Sequence, residues 1–293
     1  MEERFAPAKV NLFLHVGAPA ADGYHPVSSL MVFADVGDVV RLAPAGAMDF
    51  ALEGPFAETL GLDGDNLVVR ARDQLLRGLA APGFRLTLDK QLPIAAGLGG
   101  GSADAAATLA LVRRRLEAAG LPVPTDAVLM DLARGLGADV AACLESVPVI
   151  ATGRGDVLRP APPLPALDAV LVNPLAPSPT AAVYRAYDAA GAPGGAGPPV
   201  LPARFTTVEA VAAFLAATRN DLEAPAVALQ PLIGEVLEIL AAAPEARLAR
   251  MSGSGATCFA LCADAVDAWR LAIRLEQARP DWWVKPCRLG DGS

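Results

Sequence analysis

Histidine and cysteine, which supply many metal centres and catalytic sites, are scarce in this chain of 293 residues. The only histidines are His15 and His25, and none of the four cysteines belongs to a Cys-x-x-Cys pair. A Cys/His zinc site is therefore disfavoured, and we expect the cysteines to be buried free thiols. No Gly-x-Ser-x-Gly motif occurs, so a Ser-His-Asp hydrolase has little support. We predict no metal ion held by the protein itself.

Positively charged residues are outnumbered by negatively charged ones, 24 to 32. The formal net charge is −8, and lysine occurs at only three positions, Lys9, Lys90 and Lys285. We predict no binding to nucleic acid and none to an anionic membrane, because both need a basic surface. A small anionic ligand stays compatible with this composition, since glycine amides can bind phosphate without net positive charge.

No uninterrupted apolar run reaches membrane-spanning length, although 53% of the residues are hydrophobic. The long uncharged stretch after Asp168 is broken by Pro174, Pro177 and Pro179. The first residues, Met-Glu-Glu-Arg-Phe, lack the pattern of a signal peptide. The length suits one large domain or two ordinary ones, and we predict a cytoplasmic protein.

Glycine, by contrast, is concentrated in one segment, Pro93-Ile-Ala-Ala-Gly-Leu-Gly-Gly-Gly-Ser-Ala-Asp-Ala-Ala-Ala107. Glycine permits left-handed backbone and lets a ligand approach bare N–H groups. We predict that an Ala-rich helix starts here with Ser102 as its N-cap and stops at Gly120. The N-terminus of a helix attracts anions, so the segment predicts a phosphate cradle. A flexible linker is disfavoured, because a strand-like run, Phe84–Asp89, comes just before it.

The residues around these glycines exclude several known phosphate-binding loops. A Walker A loop needs a lysine after its last glycine, whereas Ser102 follows Gly101 here. A dinucleotide-binding fingerprint lies after the first strand and ends in glycine or alanine, where this loop has Ser102 deep in the chain. The His-Arg-Asp and Asp-Phe-Gly motifs of protein kinases do not occur. The segment is therefore predicted to be a nucleotide-binding loop of another type.

Alternating and helical hydrophobic patterns predict a mixture of strands and helices, and therefore an α+β protein. Strands are predicted at residues 10–16, 30–33, 39–42, 84–89, 147–151, 168–172, 248–251, 258–262 and 282–286. Helices are predicted at residues 65–79, 102–120, 125–136, 180–190, 208–218 and 225–243, with one more before the last strand. The proline-dense segment 160–165 predicts a boundary between domains of residues 1–160 and 161–293. Residues 191–202 are predicted to be a mobile Gly/Pro-rich loop.

Two charged residues stand where catalysis could use them. Lys9 precedes the first predicted strand and would supply a compact cation for a phosphoryl oxygen, although taken alone it is better explained as a solvated surface lysine. Asp139 follows the end of a predicted helix. A general base that accepts a proton from a substrate hydroxyl and a simple cap or turn residue are about equally good explanations of it.

A second glycine cluster, Ser252-Gly-Ser-Gly-Ala256, joins two predicted strands. A tight turn is a sufficient explanation, and a second loop that faces phosphate or substrate is the more specific one. Tyr24, His25 and Tyr184 could stack on a flat ring, although each alone is more typical of packing.

Together these residues resemble the GHMP kinase family, named for galactose, homoserine, mevalonate and phosphomevalonate kinases. Three blocks carry the resemblance: Ala6-Pro-Ala-Lys-Val-Asn-Leu12, the Pro93 to Ala107 segment, and Met251-Ser-Gly-Ser-Gly-Ala-Thr257. Four further signals are similar to members whose acceptor is 4-diphosphocytidyl-2-C-methyl-D-erythritol. They are Pro7-Ala-Lys-Val-Asn-Leu-Phe-Leu14, Asp22-Gly-Tyr-His25, Leu136-Gly-Ala-Asp-Val140 and Asn220-Asp-Leu-Glu223.

The resemblance implies a two-lobed GHMP kinase fold. Its N-terminal lobe would be like domain 2 of ribosomal protein S5, its C-terminal lobe would be ferredoxin-like, and the site would lie between them. The implied activity is ATP-dependent phosphorylation of the 2-hydroxyl of the cytidine substrate, in the non-mevalonate isoprenoid pathway. ATP with nucleotide-bound Mg²⁺ and a small-molecule acceptor are the implied ligands. Monomer and homodimer both stay open.

The resemblance also implies site residues. Lys9 and Asp139 would be the catalytic pair, with Asp139 as general base. The implied substrate-binding residues are Asn11, Tyr24, His25 and Tyr184, of which the last three would hold the cytosine ring. The predicted ATP site consists of Asn66, Pro93, Ile94, Ala95, Ala96, Gly97, Leu98, Gly99, Gly100, Gly101, Ser102 and Ala103.

The chain departs from the family pattern outside the catalytic pair and the phosphate loop. Ala141 stands where a proline is usual, Ser146-Val147 where a Gly-Gly pair is expected, Asp156 where a glutamate is usual, and Leu175 where a glycine is usual. Two other functions stay open. A kinase of the homoserine or mevalonate type would keep the ATP loop but lack Asp22-Gly-Tyr-His25. A nucleotide-binding regulatory or scaffold protein would keep the fold without catalysis, against which the intact catalytic pair argues.

Overall fold

The computed structural model describes residues 1–61, 66–191, 195 and 197–290. The chain divides into two compact units, each assembled from separate segments. The first unit comprises Met1–Ala8, Gly37–Ile94 and Gly99–Ser146, and the second comprises Lys9–Val36, Ala95–Leu98 and Val147–Ser293. The predicted boundary near residue 160 would instead give two continuous domains, and it stays a prediction.

The described residues form both strands and helices, most of them in consecutive groups of one kind. The strands are β1 (Glu2–Val16), β2 (Val27–Pro44), β3 (Asp49–Glu53), β4 (Phe84–Asp89), β5 (Val149–Gly153), β6 (Val157–Pro160), β7 (Leu167–Asn173), β8 (Ala246–Met251), β9 (Cys258–Cys262) and β10 (Trp283–Gly290). The helices are α1 (Ala57–Leu60), α2 (Leu67–Leu75), α3 (Gly100–Ala118), α4 (Asp126–Leu136), α5 (Val140–Glu145), α6 (Thr180–Ala189), α7 (Val208–Ala216), α8 (Glu223–Leu229), α9 (Pro231–Ala241) and α10 (Ala265–Ala278).

The first unit packs α2 to α5 together beside a small sheet. Its sheet pairs β4 antiparallel with the second half of β2 and parallel with β3. The Ala-rich α3 contacts α2, α4 and α5 and is buried along most of its length. Small side chains let several helices approach α3 closely, and this helix begins within the glycine segment, at Gly100.

The second unit is built on an antiparallel sheet in which β10 pairs with β7, β7 with β9, and β9 with β8. The first half of β2 pairs with β5, and β5 pairs with β6. Helices α9 and α10 pack on this sheet, and the core between them includes Val170, Ile233 and Leu271. The strand pairing is mixed, because β3 and β4 are parallel while these strands are antiparallel. Together with the helices, this gives an α+β architecture, as predicted.

Several predicted elements differ from the observed ones. The strands predicted at 30–33 and 39–42 are one strand, β2, and the helix predicted at 225–243 is two helices, because Pro231 opens a new one at α9. Ser102 as N-cap is wrong: α3 begins at Gly100, with Gly99 as its N-cap. Residues 57–60, 140–145, 49–53 and 157–160 form short helices and strands that the sequence patterns did not predict.

The four cysteines are buried thiols that take part in no disulfide, as expected from the sequence. Among the described residues, no helix combines the length and the apolar character that crossing a membrane would need. The cytoplasmic location stays a prediction. Asp65, which was expected to help open a helix, and residues 192–194 and 196 of the predicted loop lie outside the described residues.

Candidate active site

The first part of the predicted phosphate loop, Ala95–Leu98, belongs to the second unit. Gly97 has a φ of +75° and lies against the turn after β8. A Cβ atom on Gly97 would overlap the carbonyl oxygen of Ser252 and lie 2.9 Å from the backbone nitrogen of Gly255. Both the left-handed backbone and the close approach therefore require glycine here.

The second part of the loop starts α3 in the first unit. Gly99 adopts the left-handed conformation (φ +62°) at the N-cap, so Gly100, Gly101 and Ser102 form the first turn of the helix. The N–H groups of a first helical turn have no carbonyl partner within the helix, and they lie at the positive end of its dipole. This turn can therefore accept an anion, although Ser102 takes part from within the helix rather than as its cap.

Asn66 caps α2 close to this turn. Its side-chain Oδ1 accepts a hydrogen bond from the N–H of Val68 at 2.9 Å. A Cβ on Gly101 would lie 3.5 Å from Cδ1 of Leu67, the first residue of α2. The start of α2 and the start of α3 are therefore neighbours, which is compatible with the predicted role of Asn66 in the ATP site.

Lys9 is buried, with 4% of its surface exposed, so its explanation as a solvated surface lysine is wrong. Its Nζ donates a hydrogen bond to Oδ1 of Asn11 at 2.7 Å. Its backbone N–H donates to the carbonyl of Leu98 at 2.8 Å, which ties β1 to the glycine loop. A buried ammonium held in one position is available for fixed electrostatic work rather than for solvation.

Asn11 and Ser252 connect β1, the glycine loop and the second glycine turn. The Asn11 side-chain amide donates to Ser29 Oγ at 2.7 Å, and its backbone N–H donates to Ser252 Oγ at 3.1 Å. Ser252 Oγ in turn donates to the carbonyl of Gly97 at 2.9 Å. Parts of all three predicted sequence blocks thus meet around one serine in the second unit.

Further hydrogen bonds hold the turn at residues 252–257 rigidly in place. The Thr257 N–H donates to the carbonyl of Ala96 at 3.1 Å. The amide of Asn220 donates to the carbonyls of Met251 and Gly253, at 2.9 and 2.8 Å. This contact explains why an Asn-Asp-Leu-Glu block far along the chain accompanies the glycine turn.

Asp139, in the first unit, occupies the N-cap position of α5 and is half-buried. Its side chain makes no capping hydrogen bond, and its carbonyl accepts from the N–H of Cys143 at 3.0 Å. The Asp139 carboxylate is therefore not used to cap α5. The helix that carries Asp139 packs against α3, which starts at the glycine loop.

The predicted cytosine-binding residues lie in the second unit. The His25 and Tyr184 rings are tilted with centroids 5.0 Å apart, and His25 Nε2 lies 2.7 Å from Oδ1 of Asp188. Tyr24 is 57% exposed, and the guanidinium of Arg154 lies 4.0 Å from its ring centroid. His25 and Tyr184 are thus brought together, and Tyr24 is exposed with Arg154 over one face of its ring.

Some residues of structural importance gave no signal in the sequence. Asp188, the partner of His25, sits in a helix without any motif. A buried cluster of Asp38, Lys90 and Asp104 lies beside the start of α3, and only the scarcity of lysine could have drawn attention to it. Burial, opposed by the charge of Lys90 and reinforced by that of Asp38, raises the pKa of Asp104 to about 8.

Comparisons with known proteins identify the family. The model of the GHMP kinases N terminal domain matches residues 66–146, and that of the GHMP kinases C terminal domain matches residues 204–277. The chain is also 62% identical over 291 residues to the 4-diphosphocytidyl-2-C-methyl-D-erythritol kinase of Caulobacter sp. (strain K31), with 98% of each chain covered. The chain belongs to the GHMP kinase family. GHMP kinases use ATP, which suits the glycine loop.

Two solved structures resemble this GHMP kinase over nearly its whole length. A crystal structure of 4-(cytidine 5'-diphospho)-2C-methyl-D-erythritol kinase is 36% identical, covers 99% of both chains and has a TM-score of 0.78. A homoserine kinase from Cytophaga hutchinsonii is 20% identical, covers 99% of this chain and 95% of its own, and has a TM-score of 0.67. The second likeness shows the fold alone. Among the described residues, no group of three or more His, Cys, Asp or Glu side chains could hold a metal ion.

Proposed function

We propose that this GHMP kinase transfers the γ-phosphoryl group of ATP to the 2-hydroxyl of 4-diphosphocytidyl-2-C-methyl-D-erythritol, a step of the non-mevalonate isoprenoid pathway. The observation that carries this proposal is the 62% identity, over 98% of each chain, to a Caulobacter relative that bears the name of this activity. The full-length likeness to a solved kinase of the same name supports it.

The nucleotide end of the proposed site is the glycine loop from Pro93 to Ala103, with Asn66 beside it. In this proposal the first-turn N–H groups of α3 hold phosphate oxygens, and the missing side chains of the glycines let the phosphates approach the backbone. Mg²⁺ bound to the nucleotide supplies neutralisation of the charge that develops on the phosphates. These features suit phosphoryl transfer, which depends mainly on positioning and on charge stabilisation.

The proposed catalytic pair is Lys9 and Asp139. Asp139 accepts the proton of the acceptor hydroxyl, and Lys9 contributes a fixed positive charge to the transferring group. The burial of Lys9 and its bond to Asn11 support a fixed rather than a mobile ammonium. Asp139 starts α5, which packs against α3, and this placement beside the helix that begins in the glycine loop supports its role.

The acceptor end of the proposed site includes Tyr24, His25 and Tyr184 around the cytosine ring and Asn11 near the methylerythritol. The neighbouring rings of His25 and Tyr184 support a pocket for a flat base. The predicted domains, residues 1–160 for the phosphate loop and 161–293 for a ferredoxin-like half, belong to the same proposal.

An ADP-release assay tests the reaction with Mg·ATP and a panel of acceptors: the cytidine substrate, homoserine, mevalonate and no acceptor. We expect turnover only with the cytidine substrate. Turnover of homoserine or mevalonate instead would overturn the acceptor. ATP binding without transfer to any alcohol would point to a regulatory or scaffold protein.

The role of Asp139 is tested by Asp139→Asn in the same assay. We expect kcat to fall by about 10² to 10⁴, the usual contribution of a general base, with binding of ATP retained. Asp131→Asn is the matched control, since Asp131 is an exposed residue of α4 whose partner is Arg134. Undiminished turnover in Asp139→Asn would remove it as the base.

A further inference from the structure

Three ionisable side chains form a buried cluster in the first unit, and the proposed reaction gives them no role. Lys90 Nζ donates to Asp38 Oδ2 at 2.5 Å and to Asp104 Oδ2 at 2.7 Å. Each of the three residues is at most 3% exposed. The loss of hydration offsets much of the attraction in a buried ion cluster, so stability alone is a weak explanation for it.

The cluster lies at both ends of the glycine loop. Asp38 Oδ1 accepts hydrogen bonds from the N–H groups of Gln91 and Leu92, at 2.6 and 2.8 Å, directly before the loop begins at Pro93. Asp104 follows the last residue of the predicted loop within α3. Lys90 joins these two carboxyl groups, so that the entry and the exit of the loop are bound to one ammonium group.

The ammonium group also lies next to the backbone at the start of α3. A Cβ on Gly100 would lie 3.0 Å from Lys90 Nζ and 3.5 Å from Asp38 Oδ2. Gly100 is the first residue of α3, and its N–H is one of the donors that have no partner within the helix. The position of this turn is therefore coupled directly to the cluster.

A loop with four glycines has much backbone freedom to lose when it orders around a ligand. Fixing both of its ends before the ligand arrives reduces that loss, and preorganisation of this kind raises affinity without any new contact to the ligand. The cluster can thus act on nucleotide binding although none of its atoms needs to contact the nucleotide.

We propose that Asp38, Lys90 and Asp104 are positioning residues, which hold the two ends of the glycine loop in the geometry that binds the phosphates of ATP. The inference rests on the proposed ATP-dependent function. It requires that weakening the cluster lowers the affinity for ATP and leaves the affinity for the acceptor nearly unchanged.

The decisive variant is Asp104→Ala, which removes the tie at the exit of the loop and leaves the pair of Lys90 and Asp38 intact. We expect the dissociation constant for Mg·ATP and the KM for ATP to rise about tenfold or more, since small displacements of positioning groups have large effects. The KM for the acceptor should change less than about twofold. Asp104→Asn keeps an oxygen that accepts from Lys90 and should restore most of the affinity for ATP.

Leu116→Ala is the matched control, because Leu116 is buried in the same helix. It lies 12 residues beyond Asp104, or about 18 Å along the helix, and should lower thermal stability with no change in affinity for Mg·ATP. If Asp104→Ala also lowers only the thermal stability, the proposal is wrong. If Asp104→Ala does not fold, Asp104→Ser, whose shorter side chain does not reach Lys90, is measured in its place against the same criteria.

Direct titration with Mg·ATP keeps this inference separate from the proposed function. A wild-type protein that binds Mg·ATP but phosphorylates no acceptor would overturn the proposed reaction. The comparison of Asp104→Ala with Asp104→Asn by titration would still support or contradict the positioning role.

Discussion

Substitution of Gly97 by alanine probes the point where the glycine loop meets the second glycine turn. Two independent features oppose a side chain there. The φ of +75° is a conformation that residues other than glycine rarely adopt, and the new Cβ would overlap the Ser252 carbonyl oxygen and crowd the Gly255 nitrogen. Both neighbours are backbone atoms of a turn held by several hydrogen bonds, so neither can move cheaply.

The magnitude follows from these two contributions. Left-handed backbone costs about 1–2 kcal/mol for a residue with a Cβ. Forcing extra carbon into a packed position typically costs about 1–3 kcal/mol more. The sum, about 2–5 kcal/mol, corresponds to about a 30- to 4,000-fold change in an equilibrium constant at 1.4 kcal/mol per factor of ten. This free-energy cost can lower the stability of the fold, or it can displace the loop and weaken the binding of ATP.

Two assays together detect either outcome: urea unfolding for the free energy of unfolding, and titration with Mg·ATP for the affinity. Gly135→Ala is the matched control. Gly135 lies in α4, and a Cβ added there would meet no heavy atom within 4 Å outside its own stretch of helix, so the variant should gain slightly in stability. A Gly97→Ala protein with wild-type stability and wild-type affinity for Mg·ATP would refute this reasoning.

Three other substitutions test individual residues. Tyr184→Ala should raise the KM for the cytidine substrate about tenfold or more and the KM for ATP much less, because its ring packs beside His25; equal effects on both would mean that the base binds elsewhere. Asp104→Asn should flatten the pH dependence of stability. Burial and the charge of Asp38 raise the pKa of Asp104 from its ordinary value near 4 to about 8, although the charge of Lys90 acts in the opposite direction. The wild type should therefore lose stability relative to the variant as the pH rises from about 5 to 8. Urea midpoints that move the opposite way would contradict this sign. Leu175→Gly should raise the free energy of unfolding by up to about 1 kcal/mol, because Leu175 has a φ of +54°. Leu175→Ala keeps the strain and should give no gain.

The glycine loop, the α+β class and most of the long elements could be predicted from the sequence, because they depend on local patterns. Alternation marked β4, and helical spacing marked α3 and α4. The N-cap of α3 was misplaced by three residues, since Gly99 caps it by adopting left-handed backbone, which leaves no side-chain signature. Short elements such as β3 and α5 depend on their neighbours and carry little periodicity of their own.

The motifs of the candidate site could be recognised in the sequence, but the contacts between them could not. Lys9 looked like a surface residue, because burial is decided by β1 and the glycine loop together. Nothing local to Asn220 indicates that its amide supports the turn at residue 253. Partners such as Asp188 for His25 come from a distant helix, and such contacts follow from the fold rather than from any spacing along the chain.

Leu175 and Ser146 illustrate how a departure from a family pattern can be understood physically. Both stand where a glycine is expected, and both have positive φ, at +54° and +52°. The backbone has thus kept the conformation that suits glycine while the residue has changed. The strain is local, since neither residue belongs to the glycine loop.

The central claim is that this protein phosphorylates the 2-hydroxyl of 4-diphosphocytidyl-2-C-methyl-D-erythritol. The most direct test is ³¹P NMR of the wild-type protein incubated with Mg·ATP and this substrate, beside a sample with no acceptor. We predict a new phosphomonoester signal only in the complete mixture, with the diphosphate signals of the substrate retained. A folded protein that binds Mg·ATP but gives no such signal would contradict the claim.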